Sequence, residues 1–351
     1  MLYRKIGGTS IDASVVGLGT FPLGGWMWGG LDRKAGVATI RAAWDSGINL
    51  VDTAPLYGYG VAEELLGEAL RGYAREQVVI STKCGLRFDQ SAWPEGAGEH
   101  HFYYNKEGLS NNPRDHVCRR YLRAESIIQE AEESLKRLGT DYIDVYFTHA
   151  QEETTPLEET ISALTKLKEQ GKIRAIGCSN VTMPQMRKYL ELTDLSASQE
   201  RFNLIDRTME KIGLTDLCVR NNVSFFAYSP LENGLLTGTM TPGIVFPTGD
   251  LRQKSPRFCP DNVAKANTML DRFRPMTEKY HISVSQLVIA WTFARISTGH
   301  VLCGMRNTRH VASNAEAGSI CLTPDEIEFM ASESQQCTLA ANEINEELNT
   351  H

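Results

Sequence analysis

Short apolar runs alternate along the chain with longer stretches whose apolar residues recur at helical spacing. Eight of the short runs read as strands: 13–20 (ASVVGLGT), 48–53 (INLVDT), 77–83 (QVVISTK), 141–149 (DYIDVYFTH), 172–180 (KIRAIGCSN), 196–203 (SASQERFN), 223–230 (VSFFAYSP) and 300–307 (HVLCGMRN). Helical spacing fills 33–47, which stops at Gly47, and 62–72, 124–138, 155–171, a segment from Pro184, 206–221 and 308–318. Crossovers of that length require parallel strand pairing, and repeated β-α units predict an α/β fold, a (β/α)8 TIM barrel. A doubly wound sheet would place G-x-G-x-x-G after its first strand, and GLGTFPLGG does not have that spacing.

Two segments depart from the rhythm. Residues 4–14 read as an N-terminal β-hairpin around Gly7 and Gly8. Residues 86–121 form a long polar insertion after strand 3, mixing Gly, Pro and Asn with aromatics. In a barrel, loops that follow strands lie on the face carrying active sites, so Phe88, Trp93, Phe102, Tyr103 and Tyr104 become pocket candidates. Trp26 and Trp28, after the first strand, are expected on a substrate pocket. Arg87 and Arg123 are candidates for binding an anionic substrate, with surface arginine as the default reading.

Composition narrows the partners. Hydrophobic residues make up 42% and charged residues 23%, ample for a core, and the formal charge is -7. Mild acidity argues against a nucleic-acid or anionic-membrane surface. No stretch approaches the roughly 20 uninterrupted apolar residues of a membrane span, and MLYRKIGGTS lacks the apolar region of a secretory signal. The 8 cysteines are scattered without C-x-x-C, which points to free thiols in a reduced, cytoplasmic compartment and to no metal site.

Polar residues end the predicted strands: Asp52, Lys83, His149, Ser179 and Asn180, Gln199, and Tyr228 with Ser229. Closing a barrel brings them to one mouth. A carboxylate, an ammonium, an imidazole and the Tyr57 phenol are then the parts of proton-transfer chemistry. Tyrosine titrates near 10. Lys83, held by Asp52, is expected to lower that value, while His149 orients a substrate oxygen. There is no G-x-S-x-G and no serine with an obvious base. A tuned phenol suits protonation of an alkoxide left by hydride addition to a carbonyl, and amino acids donate no hydride, so a nicotinamide is implied.

These motifs resemble the aldo-keto reductases from about residue 2 to 334: VDTAPLYGYG, STK, DYIDVYFTH, AIGCSN, SQERFNLIDR and AYSPLENGLLTG. Within that family the chain is most similar to bacterial inositol-locus-type and methylglyoxal reductases. The resemblance implies one domain over 1–351, with a tail at 335–351. It implies Tyr57 as proton donor, tuned by Asp52 and Lys83, with His149 orienting the carbonyl. Cofactor contacts are implied at Gly19, Thr20, Asp52, Ser179, Asn180 and Gln199, with Tyr228 stacked on the nicotinamide. Ser229, Pro230, Leu231, Gly234 and Leu236 would line the pyrophosphate, and Gly304, Met305, Arg306, His310 and Asn314 the adenosine end.

His310 and Ser313 stand where this branch usually carries Gln (elsewhere Arg) and an acid, so cofactor choice rests on Arg306. A guanidinium forks onto a 2′-phosphate, which favours NADPH with NADH as the alternative. The expected function is NAD(P)H-dependent reduction of small aldehydes, dicarbonyls or sugar-like carbonyls. Two other readings stand beside it. One is a cofactor-binding regulatory subunit like the potassium-channel β-subunits, which carry asparagine at the position of His149. The other is a sugar or polyol dehydrogenase working oxidatively. Oligomeric state is left open.

Overall fold

A computed structural model of the chain describes residues 1–30, 32–88, 98–106 and 108–339. Eight parallel strands close into a barrel: β1 (Val16–Gly19), β2 (Leu50–Asp52), β3 (Val79–Cys84), β4 (Ile143–Thr148), β5 (Ile173–Ser179), β6 (Leu195–Arg201), β7 (Ser224–Tyr228) and β8 (Gly299–Gly304). The period-two alternation of strands separates two cores. Leu50, Val79, Val145, Phe147, Ala175, Ala197, Phe226 and Leu302 pack inside the barrel. Gly177 leaves room for Phe147, whose ring atoms would lie 2.4 Å from a Cβ at that position. The alternate residues, including Val16, Leu18, Val51, Ile80, Tyr146 and Phe225, pack outward against the helices.

The same alternation continues past the apolar layer. Two residues beyond Leu50 is Asp52, two beyond Ala197 is Gln199, and two beyond Phe226 is Tyr228, so the polar strand ends face inward above the core. Below it, the hairpin of Tyr3–Lys5 and Asp12–Ser14 sets Ile6 and Ile11 into the interior cluster. Gly7, at φ +52°, donates its N–H to Ser224 Oγ at 3.0 Å. The floor is therefore closed, and access is from the other end.

The helices follow the predicted pattern, with Ala124–Leu138 running to its left-handed Gly139 cap. Residues 206–221 instead form two helices, Thr208–Lys211 and Leu214–Arg220, because Gly213 at φ +82° breaks the run. Three helices between β7 and β8 were not marked by the pattern: Pro260–Asp271, Arg274–Tyr280 and Val284–Arg295. The last is buried on most sides, so it shows little amphipathic periodicity.

The polar insertion is not an irregular loop. Leu86–Arg87, Glu99–Asn105, Gly108–Ser110 and His116–Arg120 form a four-stranded antiparallel sheet. Its buried Tyr104 and Cys118 join Leu56, Leu86 and Ala150 in a small apolar cluster at the barrel mouth. The predicted tail begins inside a helix, Pro324–Gln336, and residues 340–351 lie outside the described residues, as does Trp93. No helix among the described residues is long and apolar enough to cross a membrane.

Candidate active site

Asp52 ends β2 beside β3, paired in register with Ser81. Its Oδ1 accepts from Ser81 Oγ and Gln199 Nε2, each at 2.8 Å, and its Oδ2 accepts from Lys83 Nζ at 2.8 Å. Lys83 is 1% exposed. Its other two donors go to Thr53 O at 2.9 Å and Tyr57 Oη at 3.0 Å. A buried ammonium needs its three donors met, and all three are.

The loop carrying Tyr57 is pinned by glycines. Gly58 is at φ +68°, and a Cβ there would lie 2.2 Å from Gly24 O. A Cβ at Gly24 would in turn meet Tyr57 C at 2.6 Å. Only glycine lets the two backbones approach so closely, which fixes the tyrosine over the lysine.

Burial pushes the Tyr57 phenol up, and this outweighs the opposing pull of Lys83, so the net direction is above its ordinary value. The sequence-based expectation of a lowered phenol is met only in the sign of the lysine's contribution. Burial also pulls Lys83 down, but Asp52 and Tyr57 together hold its ammonium above the usual range. The pair therefore rests as neutral phenol beside charged amine.

His149 follows β4, its ring 6.0 Å from that of Tyr57 and nearly perpendicular to it. Burial, then Lys83 and His101, hold the imidazole well below its ordinary value, so it is neutral near pH 7. Asn180, at φ +55°, donates from Nδ2 to His149 O at 2.8 Å and accepts from Tyr228 Oη at 2.8 Å. Ser179 Oγ donates to Gln199 O at 2.7 Å. The ends of β4, β5, β6 and β7 are thus tied by side chains as well as by the sheet.

These groups line one end of a cavity of about 750 Å³, which extends to the start of the helix Thr308–Ala317. Gly19, Asp52, Tyr57, His149, Ser179, Asn180, Gln199, Tyr228, Ser229, Pro230, Leu231, Gly234, Gly304, Arg306, His310 and Asn314 lie on its wall, with Trp26 and Trp28. Thr20, Lys83, Leu236 and Met305 do not. Leu236 and Met305 are fully buried, and Thr20 Oγ1 donates to Asp52 O at 3.0 Å. Of the insertion aromatics, Phe102 reaches the wall, while Phe88 and Tyr104 pack on Tyr59.

Several wall residues escaped sequence reasoning, among them Phe21, Gln151 and the arginines 120, 201 and 252. Arg201 could have been found by continuing the alternation of β6 one step past Gln199. Arg252 stacks its guanidinium on Phe246 and Trp28 and pairs with Asp250 at 2.7 Å, which no spacing reveals. Trp28 and Asp250 also form an isolated backbone bridge, joining the loops after β1 and β7.

Comparison with known proteins gives a consistent result. The model of the aldo/keto reductase family matches residues 15–333. The chain is 38% identical over 330 residues to an NADH-specific methylglyoxal reductase of Escherichia coli, covering 93% of this chain and 96% of that one. It is 35% identical over 318 residues to aldo-keto reductase YhdN of Bacillus subtilis, covering 90% and 88%. Among solved structures, a glycerol dehydrogenase of Gluconobacter oxydans superposes with a TM-score of 0.81 at 33% identity, covering 97% of each chain.

Proposed function

The chain belongs to the aldo/keto reductase family of NAD(P)H-dependent oxidoreductases, and on that premise we propose that Tyr57, Lys83, Asp52 and His149 carry its carbonyl reduction. The observation behind this assignment is the chain of contacts from Asp52 through Lys83 Nζ to Tyr57 Oη, at 2.8 and 3.0 Å, opening onto the cavity.

The cavity suits a dinucleotide. Among the described residues, and leaving aside Arg120 at the carbonyl end, its wall carries three arginines (201, 252 and 306) and one acidic side chain, Asp52, which Lys83 already neutralises. Ser229, Asn233 and Gly234 hold backbone at φ +56°, +52° and +100°, which winds the loop after β7 tightly along the wall. Ser179, Asn180, Gln199 and Tyr228 would hold the nicotinamide end, Ser229–Gly234 the phosphates, and Arg306, His310 and Asn314 the adenosine end. Arg306 favours NADPH, with NADH as the alternative that the Escherichia coli relative's name represents. When bound, the nicotinamide supplies the hydride.

The protein's own groups do the rest. Neutral His149 donates a hydrogen bond to the carbonyl oxygen and so fixes its direction. Tyr57, protonated at rest, gives its proton to the oxygen as negative charge develops there. Lys83 stabilises the phenolate left behind, and Asp52 keeps the ammonium in place. Substrates are small aldehydes, dicarbonyls or sugar-like carbonyls. The enzyme acts as one catalytic domain, in the cytoplasm, where its eight free cysteines stay reduced. The regulatory-subunit reading is disfavoured by the enzymatic relatives, and the oxidative direction is set by concentrations and not by the site.

The test is oxidation of NADPH and NADH with methylglyoxal, aromatic aldehydes and keto-sugars, for the wild type and Tyr57→Phe. Turnover lost by roughly 10³-fold or more in the variant, with cofactor binding retained, is the expected result. Equal turnover in the variant would remove Tyr57 from the chemistry.

A further inference from the structure

The substrate end of the cavity is largely apolar, and its polar groups beyond Tyr57 and His149 are His101, Gln151 and Arg120. Leu56, Leu86, Phe102, Leu109 and Ala150 line it, and Arg120 is the cation set among them. Arg120 ends one of the two inner strands of the insertion sheet and is paired in register with Leu86. Leu86 packs with Leu56 and Ala150, which adjoin Tyr57 and His149 in the chain, so the guanidinium belongs to the carbonyl end and not to the dinucleotide end.

The arginine is only partly engaged. Its Nη2 is 2.7 Å from Glu99 Oε2, and its Nε–H is buried with no partner among the described residues. A guanidinium has five N–H donors, and one carboxylate at Nη2 leaves others open. Glu99 does not lie on the cavity wall, and the wall's single acid is the neutralised Asp52. The strand itself is held in place: a Cβ on Gly98 would lie 2.5 Å from Arg120 O, and Tyr121 N donates to Gly85 O at 2.9 Å.

We propose that Arg120 selects carbonyl substrates bearing a carboxylate or phosphate on the side away from the reacting carbonyl. The inference rests on the reductase reading above, and it names the substrate class of that same site. The apolar wall takes the spacer between carbonyl and anion, and the guanidinium takes the anion by charge-assisted hydrogen bonds. A point-charge lysine would serve less well than the planar fork.

The experiment compares matched pairs of aldehydes: succinic semialdehyde with its methyl ester, 4-carboxybenzaldehyde with its methyl ester, and glyceraldehyde 3-phosphate with glyceraldehyde. In the wild type, kcat/KM for at least one anionic series exceeds that for its neutral partner by tenfold or more, on the order of one charge-assisted bond. Whether the carboxylate or the phosphate pair shows it identifies the anion. In Arg120→Met the ratio falls to about one, Arg120→Lys restores part of it, and Glu99→Gln, which frees the guanidinium, raises it. A merely structural Arg120 would lower both members of a pair together and leave the ratio alone. A wild-type ratio of one or below, or a ratio that survives in Arg120→Met, overturns the proposal. Calorimetric binding of the same pairs to Tyr57→Phe separates the two readings. An anion preference that depends on Arg120 there, without turnover in the wild type, sustains the anion site and sinks the reductase assignment, while absence of that preference sinks the anion site alone.

Discussion

Replacing Lys83 by methionine tests how the buried pair works. The side chain is matched in length, so packing is kept while the charge and three hydrogen bonds are lost. In the proposed reaction the phenol becomes a phenolate, and its oxygen lies 3.0 Å from Nζ. At an effective dielectric of about 20 that contact is worth about 5–6 kcal/mol. Part is recovered by water and by reorientation of neighbours, so a loss of 10²–10³-fold in kcat is expected, similar to the removal of one preorganised donor. The pH dependence carries the sign. A proton donor must be protonated, so activity is lost as pH rises through its pKa. Burial places Tyr57 above 10 already, with Lys83 opposing, so the wild type holds its rate on the acid and neutral side and declines only in strong alkali. Without Lys83 the decline moves to still higher pH. Asp52 loses its ion pair but keeps Ser81 and Gln199. Breaking such a pair nonetheless costs about 3–5 kcal/mol of stability, so unfolding must be followed alongside steady-state absorbance assays of cofactor oxidation. A folded variant with unchanged kcat, or a wild-type alkaline decline centred near pH 7, would refute this account.

Two further outcomes follow from the scaffold. Gly58→Ala is expected to lower stability by about 2–4 kcal/mol and to reduce kcat, because the new Cβ collides with Gly24 O and displaces Tyr57. Gly72→Ala, also at positive φ but with nothing within 4 Å, is the control in thermal melts, and equal losses in the two would sink the clash argument. His300 lies inside the barrel, fully buried, with Nδ1 3.2 Å from Ser14 O, and burial lowers its pKa to about 4. The unfolded chain protonates near 6.5, so stability present above that pH is lost as pH falls toward 4, by about 2 kcal/mol between pH 7 and 5. His300→Gln should flatten urea midpoints over that window, with His149 still contributing in the same direction, and an unchanged slope would show that His300 is already accessible to protons in the fold.

The barrel was legible because its rule is periodic. Parallel strands buried on both faces are continuous apolar runs, and those runs stop where inward alternation delivers Asp52, Lys83, Gln199 and Tyr228 to the mouth. The insertion was not legible for the converse reason. Residues 99–105 and 116–120 pair with each other across a gap of chain, and their burial comes from the barrel mouth beneath them, so the local pattern is polar with scattered aromatics. The helix Val284–Arg295 was missed because it is apolar on nearly every side. Arg252 was missed because a guanidinium stacked on Trp28 depends on two loops meeting, about 220 residues apart in sequence. The balance of effects at Tyr57 shows the same limit from the energetic side. Sequence supplies the lysine and the sign of its pull, but the depth of burial that overrides it is a property of the assembled mouth. That burial is what leaves the phenol protonated, as the proposed proton donor must be, with Lys83 placed to favour the anion once the proton has gone.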